Sequence, residues 1–332
     1  MPSASVTQRL DAAFAPVRDA IDAGRIPGAV LGLVTAGGDR ALRVAGQAQC
    51  VPHCRLMTEE TWFDLASLTK VLFTTPRILA LATEGVIDLD APLTRLLPDL
   101  RQYSVDAWER RVTFRQCLAH QTPFPAVEPL YTYGRDPQLL RAFVLQREWR
   151  AGPPVYSDIN FILLGLALER HYRQTLRALD PGEGFAWSAP PEASAATEDC
   201  TWRGRILCGE VHDDNCSALY GAGHAGLFGT AGAILSHAQG LLTATGPVIE
   251  AMRAPLSATR THGWERAHPG WSGGDRASAT TIGHTGFTGT GLWIDFTRGH
   301  AWVLLTNRIH PTRHFDSGIV ALRRAVGEAM NG

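Results

Sequence analysis

The sequence predicts an α+β fold in which a sheet built from both ends of the chain packs against a mostly helical middle. Short apolar runs typical of strands occur near the start of the chain, at residues 28–35 and 41–47, and again after residue 281. Between these runs the apolar residues recur at helical spacing. Because strands from distant segments must then pair in one antiparallel sheet, we expect a discontinuous domain with a helical insert.

The first elements follow from this pattern in chain order. Residues 1–24 have apolar positions at helical spacing and predict an amphipathic helix. The two apolar runs that follow, GAVLGLVT and ALRVAGQ, predict strands joined by a turn at residues 37–39.

The middle of the chain is predicted to be helical up to about residue 179. One helix is expected over residues 67–84, with Pro76 kinking it or shifting its last turns. Another is expected over residues 159–179, and shorter ones in TFRQCLAH and PQLLRAFVLQ. Residues 180–215 are rich in Pro, Gly, Ala and acidic residues, which predicts a long surface excursion and a possible lid.

Three apolar runs, TTIGHTG, GTGLWIDF and HAWVLLTNR, predict the C-terminal strands, and residues 317–330 predict a closing helix. The sheet-containing part is therefore assigned to residues 1–50 and 280–332. The mostly helical part is assigned to residues 51–279, and the two together form one catalytic unit.

Composition argues against several partners. A net charge of −1 and a pI near 6.9 create no field that would recruit nucleic acid or anionic lipid. The longest early apolar stretch, PGAVLGLV, is too short to span a bilayer, and the first residues lack the basic start of a signal peptide. We expect a cytoplasmic protein that binds a small molecule; its oligomeric state is not predicted.

Lysine and arginine are used very unequally: of the 31 residues of these two types, Lys70 is the only lysine. Arginine stays protonated, whereas a lysine that is removed from water can lose its proton and act as a base. Lys70 follows Ser67 by three residues, so a helix would place both side chains on one face. Its neighbours in sequence are apolar, which predicts a buried amine with a lowered pKa that takes the proton of Ser67.

Two further segments suit the same site. Tyr156, Ser157 and Asp158 open the predicted apolar helix after a Gly-Pro-Pro sequence, where a phenol can face a cleft. The segment His284-Thr285-Gly286 lies on the first C-terminal strand, and glycines there let another backbone or a ligand approach closely.

Two other motifs fit their context poorly. Residues 221–226 satisfy G-x-G-x-x-G, but no strand precedes them and no dinucleotide site is expected. Residues 270–274 satisfy G-x-S-x-G around Ser272, with Asp295 and His310 following in the order of an α/β-hydrolase triad. That motif requires a strand before the serine and a helix after it, so Ser272 is predicted to be a loop serine.

No metal or organic cofactor is expected. Cys50, His53 and Cys54 lack a second pair at zinc-ligand spacing. Most of the six cysteines should be reduced thiols in a cytosolic chain. They are Cys50, Cys54, Cys117, Cys200, Cys208 and Cys216.

With these motifs in order, the chain resembles the serine β-lactamase-like hydrolases, a group that includes class C β-lactamases, D-alanyl-D-alanine carboxypeptidases and family VIII carboxylesterases. The resemblance rests on S-x-x-K at Ser67 to Lys70, on Y-x-N altered to Tyr156-Ser157-Asp158, and on K-T-G altered to His284-Thr285-Gly286. It runs from about IPGAV to LLTNR, and phrases such as GEVHDDN and GHAGLFGTA also look like this group. It implies a β-lactamase/transpeptidase-like fold.

The resemblance also implies a mechanism. Ser67 would attack an ester or amide carbonyl after losing its proton to a Lys70/Tyr156 pair, and water would release the acyl-enzyme. Which of the two groups is the formal base stays open. The backbone N–H groups of Ser67 and Phe287 would form the oxyanion hole.

Two departures from the family motifs bear on the substrate. A histidine at position 284 is mostly neutral at pH 7 and so anchors a carboxylate weakly, and Asp158 is an acceptor where the family has an amide. We therefore expect a carboxylesterase acting on small acyl esters. The alternatives are a D-Ala-type carboxypeptidase or D-aminopeptidase, a weak β-lactamase, a transacylase, and a non-catalytic β-lactamase-like scaffold.

The substrate pocket is expected to include Asp158, the 284–286 segment and nearby aromatic side chains. The aromatic candidates are Phe124, Tyr131, Trp187 and Phe287. Four other polar residues in family-like stretches are expected to have structural roles: His120, His212, Asp213 and His224.

Overall fold

The computed structural model describes residues 4–332, so residues 1–3 of the predicted first helix lie outside the described part. The chain forms helices and short strands around one large antiparallel sheet. The α-helices are α1 (Ala4–Asp22), α2 (Thr75–Thr83), α3 (Phe114–Leu118), α4 (Pro137–Gln146), α5 (Asp158–Tyr172), α6 (Asp214–Ala218), α7 (Ala231–Thr243), α8 (Pro247–Arg253) and α9 (Ile319–Met330). The strands are β1 (Gly28–Thr35), β2 (Arg40–Gln49), β3 (Arg55–Leu56), β4 (Phe63–Asp64), β5 (Phe185–Ala186), β6 (Ala196–Cys200), β7 (Arg205–Cys208), β8 (Phe228–Gly229), β9 (Glu265–Arg266), β10 (Ile282–Thr285), β11 (Gly291–Asp295) and β12 (His300–Thr306).

Both ends of the chain contribute to the central sheet, whose strand order is β3-β2-β1-β12-β11-β10-β9. The N-terminal β1 pairs antiparallel with the C-terminal β12, with Ala29 opposite Thr306. This pairing confirms the predicted α+β fold. The edge strands β3 and β9 come from within the segment that was predicted to be mostly helical.

Strand β1 is apolar along its length because both faces of the sheet are covered. Leu31 belongs to a core shared with α1 and α9, whereas Val30 belongs to the larger core shared with α7 and the helical part. Successive side chains thus alternate between two cores. A Cβ on Gly32 would lie 2.6 Å from a methyl of Leu42 and 2.7 Å from a methyl of Leu235, so this glycine leaves room for both side chains in their present positions.

The helix after Ser67 is less regular than predicted. Its helical turns begin at residue 68, but Lys70–Thr74 form a π-helical turn before α2 continues to Thr83. Pro76 lies in the first turn of α2, just after the π-helical turn. Because a proline lacks the N–H that an α-helix would use, the expected disturbance takes the form of a local change of helix type.

Helix α5 forms the centre of the helical part and is buried on all sides from Ile159 to Leu168. It ends at Tyr172, earlier than predicted, because Arg173 adopts a left-handed backbone with φ of 55° and terminates the helix. Within residues 4–332, no helix has the length and apolar character needed to cross a bilayer.

The segment 180–215 contains regular structure that its composition did not predict. Strand β5 joins β4 and β8 in a three-stranded sheet, and β6 and β7 form a separate two-stranded sheet. These strands are two to five residues long, too short to give a recognisable alternation of apolar and polar residues. A lid role for the segment stays a prediction.

His300 at the start of β12 makes stability dependent on pH. Burial, assisted by the charge of Arg9, lowers the pKa of His300 to about 4. The unfolded chain, with an imidazole pKa of about 6.5, therefore binds a proton that the folded chain does not. Stability should fall by roughly 3 kcal/mol from this residue as pH decreases from about 6.5 to about 4.

Replacing His300 with Gln should flatten this pH dependence, because the unfolded state then no longer gains that proton. The free energy of unfolding, measured by urea denaturation at pH 7.5, 5.5 and 4.5, tests this expectation. His53→Gln, at an exposed histidine, is the control. If the free energy of unfolding changes equally with pH in the wild type and in His300→Gln, then His300 is not the source of the pH dependence.

Candidate active site

Ser67 lies in a strained turn between β4 and the π-helical turn that carries Lys70. The preceding residue, Ala66, has φ of 47°, in the left-handed region that non-glycine residues seldom adopt. Asp64 holds this conformation, because its carboxylate accepts hydrogen bonds from the N–H of Ala66 at 2.8 Å and of His212 at 2.6 Å. The turn leaves the Ser67 side chain half-buried at the edge of a cavity.

Lys70 is completely buried, and its ammonium nitrogen contacts three oxygen atoms. Nζ donates to Ser67 Oγ at 2.8 Å, to Asp158 Oδ1 at 2.8 Å and to the carbonyl of His224 at 3.2 Å. It also lies 5.0 Å from the centroid of the Tyr156 ring. The structure therefore brings together Ser67, Lys70, Tyr156 and Asp158, the four residues predicted from two separate motifs.

The predicted lowering of the Lys70 pKa is wrong in direction. Burial does lower it and is the largest single influence, but the Asp158 carboxylate and Tyr156 together outweigh burial and raise the pKa of Lys70. A buried amine beside a carboxylate forms an ion pair and keeps its charge. The side chain thus rests as an ammonium, with Asp158 as its counter-ion.

Tyr156 lies between two histidines. Its ring centroid is 4.3 Å from that of His120 and 5.9 Å from that of His284. His284 Nδ1 donates to the carbonyl of Thr285 at 3.0 Å. Burial, and then the charges of Lys70 and its surroundings, place the pKa of His284 well below the usual value, so the ring is neutral, as predicted.

The backbone also fixes the state of His120. Its Nδ1 accepts a hydrogen bond from the N–H of Ser157 at 3.0 Å, so the proton of the neutral ring lies on Nε2. Burial is the main reason that the pKa of His120 lies well below its usual value. The prediction that this histidine is buried and bonded to the backbone is confirmed.

Arg260 is a neighbour of the site that the sequence did not single out. Its guanidinium lies 5.3 Å from the centroid of the Tyr156 ring, and its nearest acidic partner, Glu265, is 3.9 Å away. The side chain is 19% exposed and so remains within reach of a ligand. One arginine among 30 carries no distinguishing mark in the sequence, which is why it was missed.

A turn after β10 is fastened to the turn that carries Ser67. Thr288 Oγ1 donates to the carbonyl of Asp64 at 2.7 Å, and Thr290 Oγ1 donates to the carbonyl of Leu65 at 3.1 Å. A Cβ on Gly286 would lie 2.6 Å from the same Leu65 carbonyl. The expected close backbone approach at this glycine is confirmed.

This connection places Phe287 beside Ser67, and both residues line the same cavity. In the described part of the chain, neither backbone N–H donates a hydrogen bond to another residue. Two free N–H groups beside a nucleophile can stabilise an oxyanion, as the resemblance implied.

The cavity at Ser67 has a volume of about 280 Å³ and an acidic wall formed by Asp158, Asp213 and Asp214. Tyr131 and Phe287 line it, as predicted for two of the aromatic candidates.

The other two aromatic candidates do not line the cavity. Phe124 is fully buried and packs against Trp108 and Trp149, with ring centroids 4.9 and 5.8 Å away. Trp187 packs edge-on against Phe73 at 4.6 Å and donates its N–H to the carbonyl of Leu179. Both are structural residues, because an aromatic identity alone does not distinguish a core position from a pocket wall.

Asp213 and His224 support the Lys70 side of the site. His224 Nε2 lies 2.9 Å from Asp213 Oδ1, and the same oxygen accepts from the N–H of Cys216 at 2.7 Å. Burial would raise the pKa of Asp213, but His224 and the Cys216 N–H hold it far below its usual range. Asp213 thereby fixes the loop whose His224 carbonyl contacts Lys70.

One group of ligand-type side chains in residues 4–332 has the spacing of a metal site: Asp158, Asp213 and His224, whose ligand atoms lie within 4.8 Å of one another. The Lys70 ammonium donates to Asp158 and to the His224 carbonyl. Asp158 is therefore paired with the lysine, and Asp213 is paired with the His224 ring.

Ser272 has no catalytic partners of the α/β-hydrolase type. It lies in a loop with its hydroxyl buried. Asp295 binds Ser278 and Arg298, and His310 Nε2 accepts from the N–H of Cys50 at 2.9 Å. Asp295 and His310 are thus engaged elsewhere, and neither bonds to the Ser272 hydroxyl.

Comparison with known proteins agrees with this geometry. The model of the family described as "Beta-lactamase" matches residues 10–326. The chain belongs to the β-lactamase family. It is accordingly placed among the serine hydrolases of that family.

Its relatives have several different names. A provisionally named D-alanyl-D-alanine carboxypeptidase of Salmonella agona (strain SL483) is 28% identical, over 78% of this chain and 72% of that protein. Among solved structures, a β-lactamase from Sulfitobacter sp. EE-36 has a TM-score of 0.74 at 19% identity, covering 98% of each chain. EstCE1, described as a hydrolase with promiscuous acyltransferase activity, has a TM-score of 0.73 at 19% identity, covering 99% of this chain and 100% of that one. These two structures establish the β-lactamase/transpeptidase-like fold.

The charge state of Lys70 can be measured directly, because the chain contains no other lysine. Protein labelled with ¹³Cε-lysine should give one side-chain resonance, with a titration midpoint above the usual lysine value near 10.5. In Asp158→Asn the counter-ion is lost while burial remains, so the midpoint should move to lower pH.

The exposed variant Asp136→Asn, at the start of α4, serves as the control and should leave the resonance unchanged. A midpoint in Asp158→Asn equal to that of the wild type would show that Asp158 does not hold the charge on Lys70.

Proposed function

We propose that the protein is a carboxylesterase that forms an acyl-enzyme at Ser67 with small, uncharged acyl esters. The observation that carries the proposal is the position of the only lysine, fully buried with its Nζ 2.8 Å from Ser67 Oγ. A surface lysine would be solvated, and a scaffold protein would have no need of a buried amine at a serine. The family assignment supports a serine hydrolase.

In the proposed reaction, Ser67 Oγ attacks the acyl carbonyl while its proton passes to the Lys70/Tyr156 pair. The N–H groups of Ser67 and Phe287 hold the oxyanion, each donor contributing about 3 kcal/mol in the transition state. The leaving alkoxide takes the proton from the same pair, and water then releases the acid. Because Asp158 stabilises the ammonium, only a minority of Lys70 is neutral at pH 7, and the rate should rise with pH.

The charges around Ser67 favour an uncharged substrate. Asp158, Asp213 and Asp214 outnumber Arg313, the arginine that also lines the cavity and is itself paired with Glu198 and Asp214. His284 is neutral where related enzymes place a lysine. The similarity in fold to EstCE1 is consistent with an acyl ester as substrate. It also keeps acyl transfer to an alcohol as a possible outcome of the same acyl-enzyme.

A second candidate, a D-Ala-type carboxypeptidase, is favoured by one observation. Arg260 places a permanent cation beside Tyr156, on an element different from the one that carries His284. That guanidinium could anchor the terminal carboxylate of a peptide. The name of the Salmonella agona relative points the same way.

The test of the nucleophile is hydrolysis of p-nitrophenyl acetate and butyrate, with nitrocefin as a β-lactam substrate. Ser67→Ala and Lys70→Arg should each lower ester turnover at least 100-fold, since one removes the nucleophile and the other replaces the amine with a group that stays protonated. Ser272→Ala is the matched control and should retain activity. Loss of activity in Ser272→Ala alone would show that Ser272, and not Ser67, is the nucleophile. Turnover of nitrocefin faster than that of the esters would show that the protein is a β-lactamase and not an esterase.

Arg260→Gln separates the two substrate classes. An esterase acting on uncharged esters should keep kcat/KM for p-nitrophenyl butyrate within about threefold, because no substrate charge faces the guanidinium. Release of D-alanine from a peptide ending in D-Ala-D-Ala, assayed in parallel, should be undetectable in the wild type. D-alanine release that Arg260→Gln abolishes would establish the carboxypeptidase instead.

A further inference from the structure

A second cavity, of about 550 Å³, lies where residues 308–315 pass the end of α1 and the adjoining ends of β1 and β2. Its apolar lining includes Ile21, Ile26 and Phe315, and two arginines, Arg25 and Arg308, also line it. Ligand sites in proteins commonly have this volume and this combination of apolar walls with a few charged groups.

The guanidinium groups of the two arginines have no hydrogen-bond or ion-pair partner within residues 4–332. Neither guanidinium, that of Arg25 or of Arg308, donates a hydrogen bond to another described residue or forms an ion pair with one, and Arg308 Nε is buried without an acceptor. By contrast, the nearby Arg313 is held by Glu198, with its Nε 2.8 Å from Oε1 and 2.7 Å from Oε2. Buried guanidinium donors are normally satisfied, so the unsatisfied Arg308 Nε, with the unpaired and partly exposed Arg25 lining the same cavity, indicates an anion-binding position.

We propose that this cavity binds a monoanionic carboxylate with an apolar body, of the size of a medium-chain fatty acid. The planar guanidinium groups suit a carboxylate, and the walls formed by Ile21, Ile26 and Phe315 suit a hydrocarbon chain. Asp316 lies near enough to act on the charge of Arg308. No ion pair joins Asp316 and Arg308 within residues 4–332, so the guanidinium keeps its donors for a ligand.

The cavity adjoins the catalytic one through a contact between two side chains, one from the lining of each cavity. The Arg308 guanidinium lies 4.8 Å from the centroid of the Phe287 ring, and Phe287 lines the cavity at Ser67. The stem of Arg308 passes the turn that holds Phe287, since a Cβ on Gly289 would lie 3.0 Å from Arg308 Cγ. A bound carboxylate would thus be separated from the active site by one aromatic ring.

Calorimetric titration of the wild-type protein with octanoate tests the proposal, with octanamide as the uncharged control. Octanoate should bind at least tenfold more tightly than octanamide. Arg25→Gln and Arg308→Gln should each weaken octanoate binding at least tenfold, whereas Arg18→Gln, at an exposed position of α1, should leave it unchanged. Having two variants guards against a folding defect in one of them, and unfolding curves identify such a defect.

Three results would overturn the proposal. Octanoate that competes with p-nitrophenyl acetate, with an inhibition constant equal to its dissociation constant, would bind at Ser67. Octanoate binding that is the same in Arg25→Gln, Arg308→Gln and the wild type would exclude the two arginines. Inorganic phosphate that binds more tightly than octanoate and displaces it would show that the site selects a dianion.

Discussion

The ion pair between the Lys70 ammonium and the Asp158 carboxylate is the interaction on which the candidate active site depends. A buried amine without a counter-ion would be costly, and this one has Asp158, the Ser67 hydroxyl and the His224 carbonyl as acceptors. Asp158 opens α5, and His224 belongs to the loop that Asp213 fixes. The Lys70 ammonium thus connects α5 and the loop that contains His224 to the nucleophile Ser67.

The second constraint is the connection between the sheet and the nucleophile. The side chains of Thr288 and Thr290 bind the carbonyls of Asp64 and Leu65, which precede Ser67 by a few residues in sequence. These bonds join residues more than 220 positions apart. The proposed oxyanion hole therefore forms only when the C-terminal strands have docked, and its geometry reports the assembly of the whole fold.

Much of this architecture could be predicted from the sequence, because the apolar runs of β1, β10, β11 and β12 are long enough to show their character. Ser67 and Lys70 could be identified because a single lysine among many arginines requires a chemical reason. The charge of Lys70 could not be predicted, because burial opposes the neighbouring groups and only the structure shows that Asp158 and Tyr156 together outweigh it. Phe124 was wrongly assigned to the pocket and Arg260 was overlooked for a simpler reason. A sequence shows the type of a residue but not its distance from Ser67.

The burial of the only lysine has a consequence for how the folded protein meets other reagents. Acylating agents, aldehydes and lysine-modifying enzymes all need an exposed side-chain amine, and the described surface offers none. Activated esters that reach the described surface would therefore find no lysine side chain to acylate. Any lysine adduct recovered from this chain would record either chemistry inside the active site or a molecule that had already unfolded.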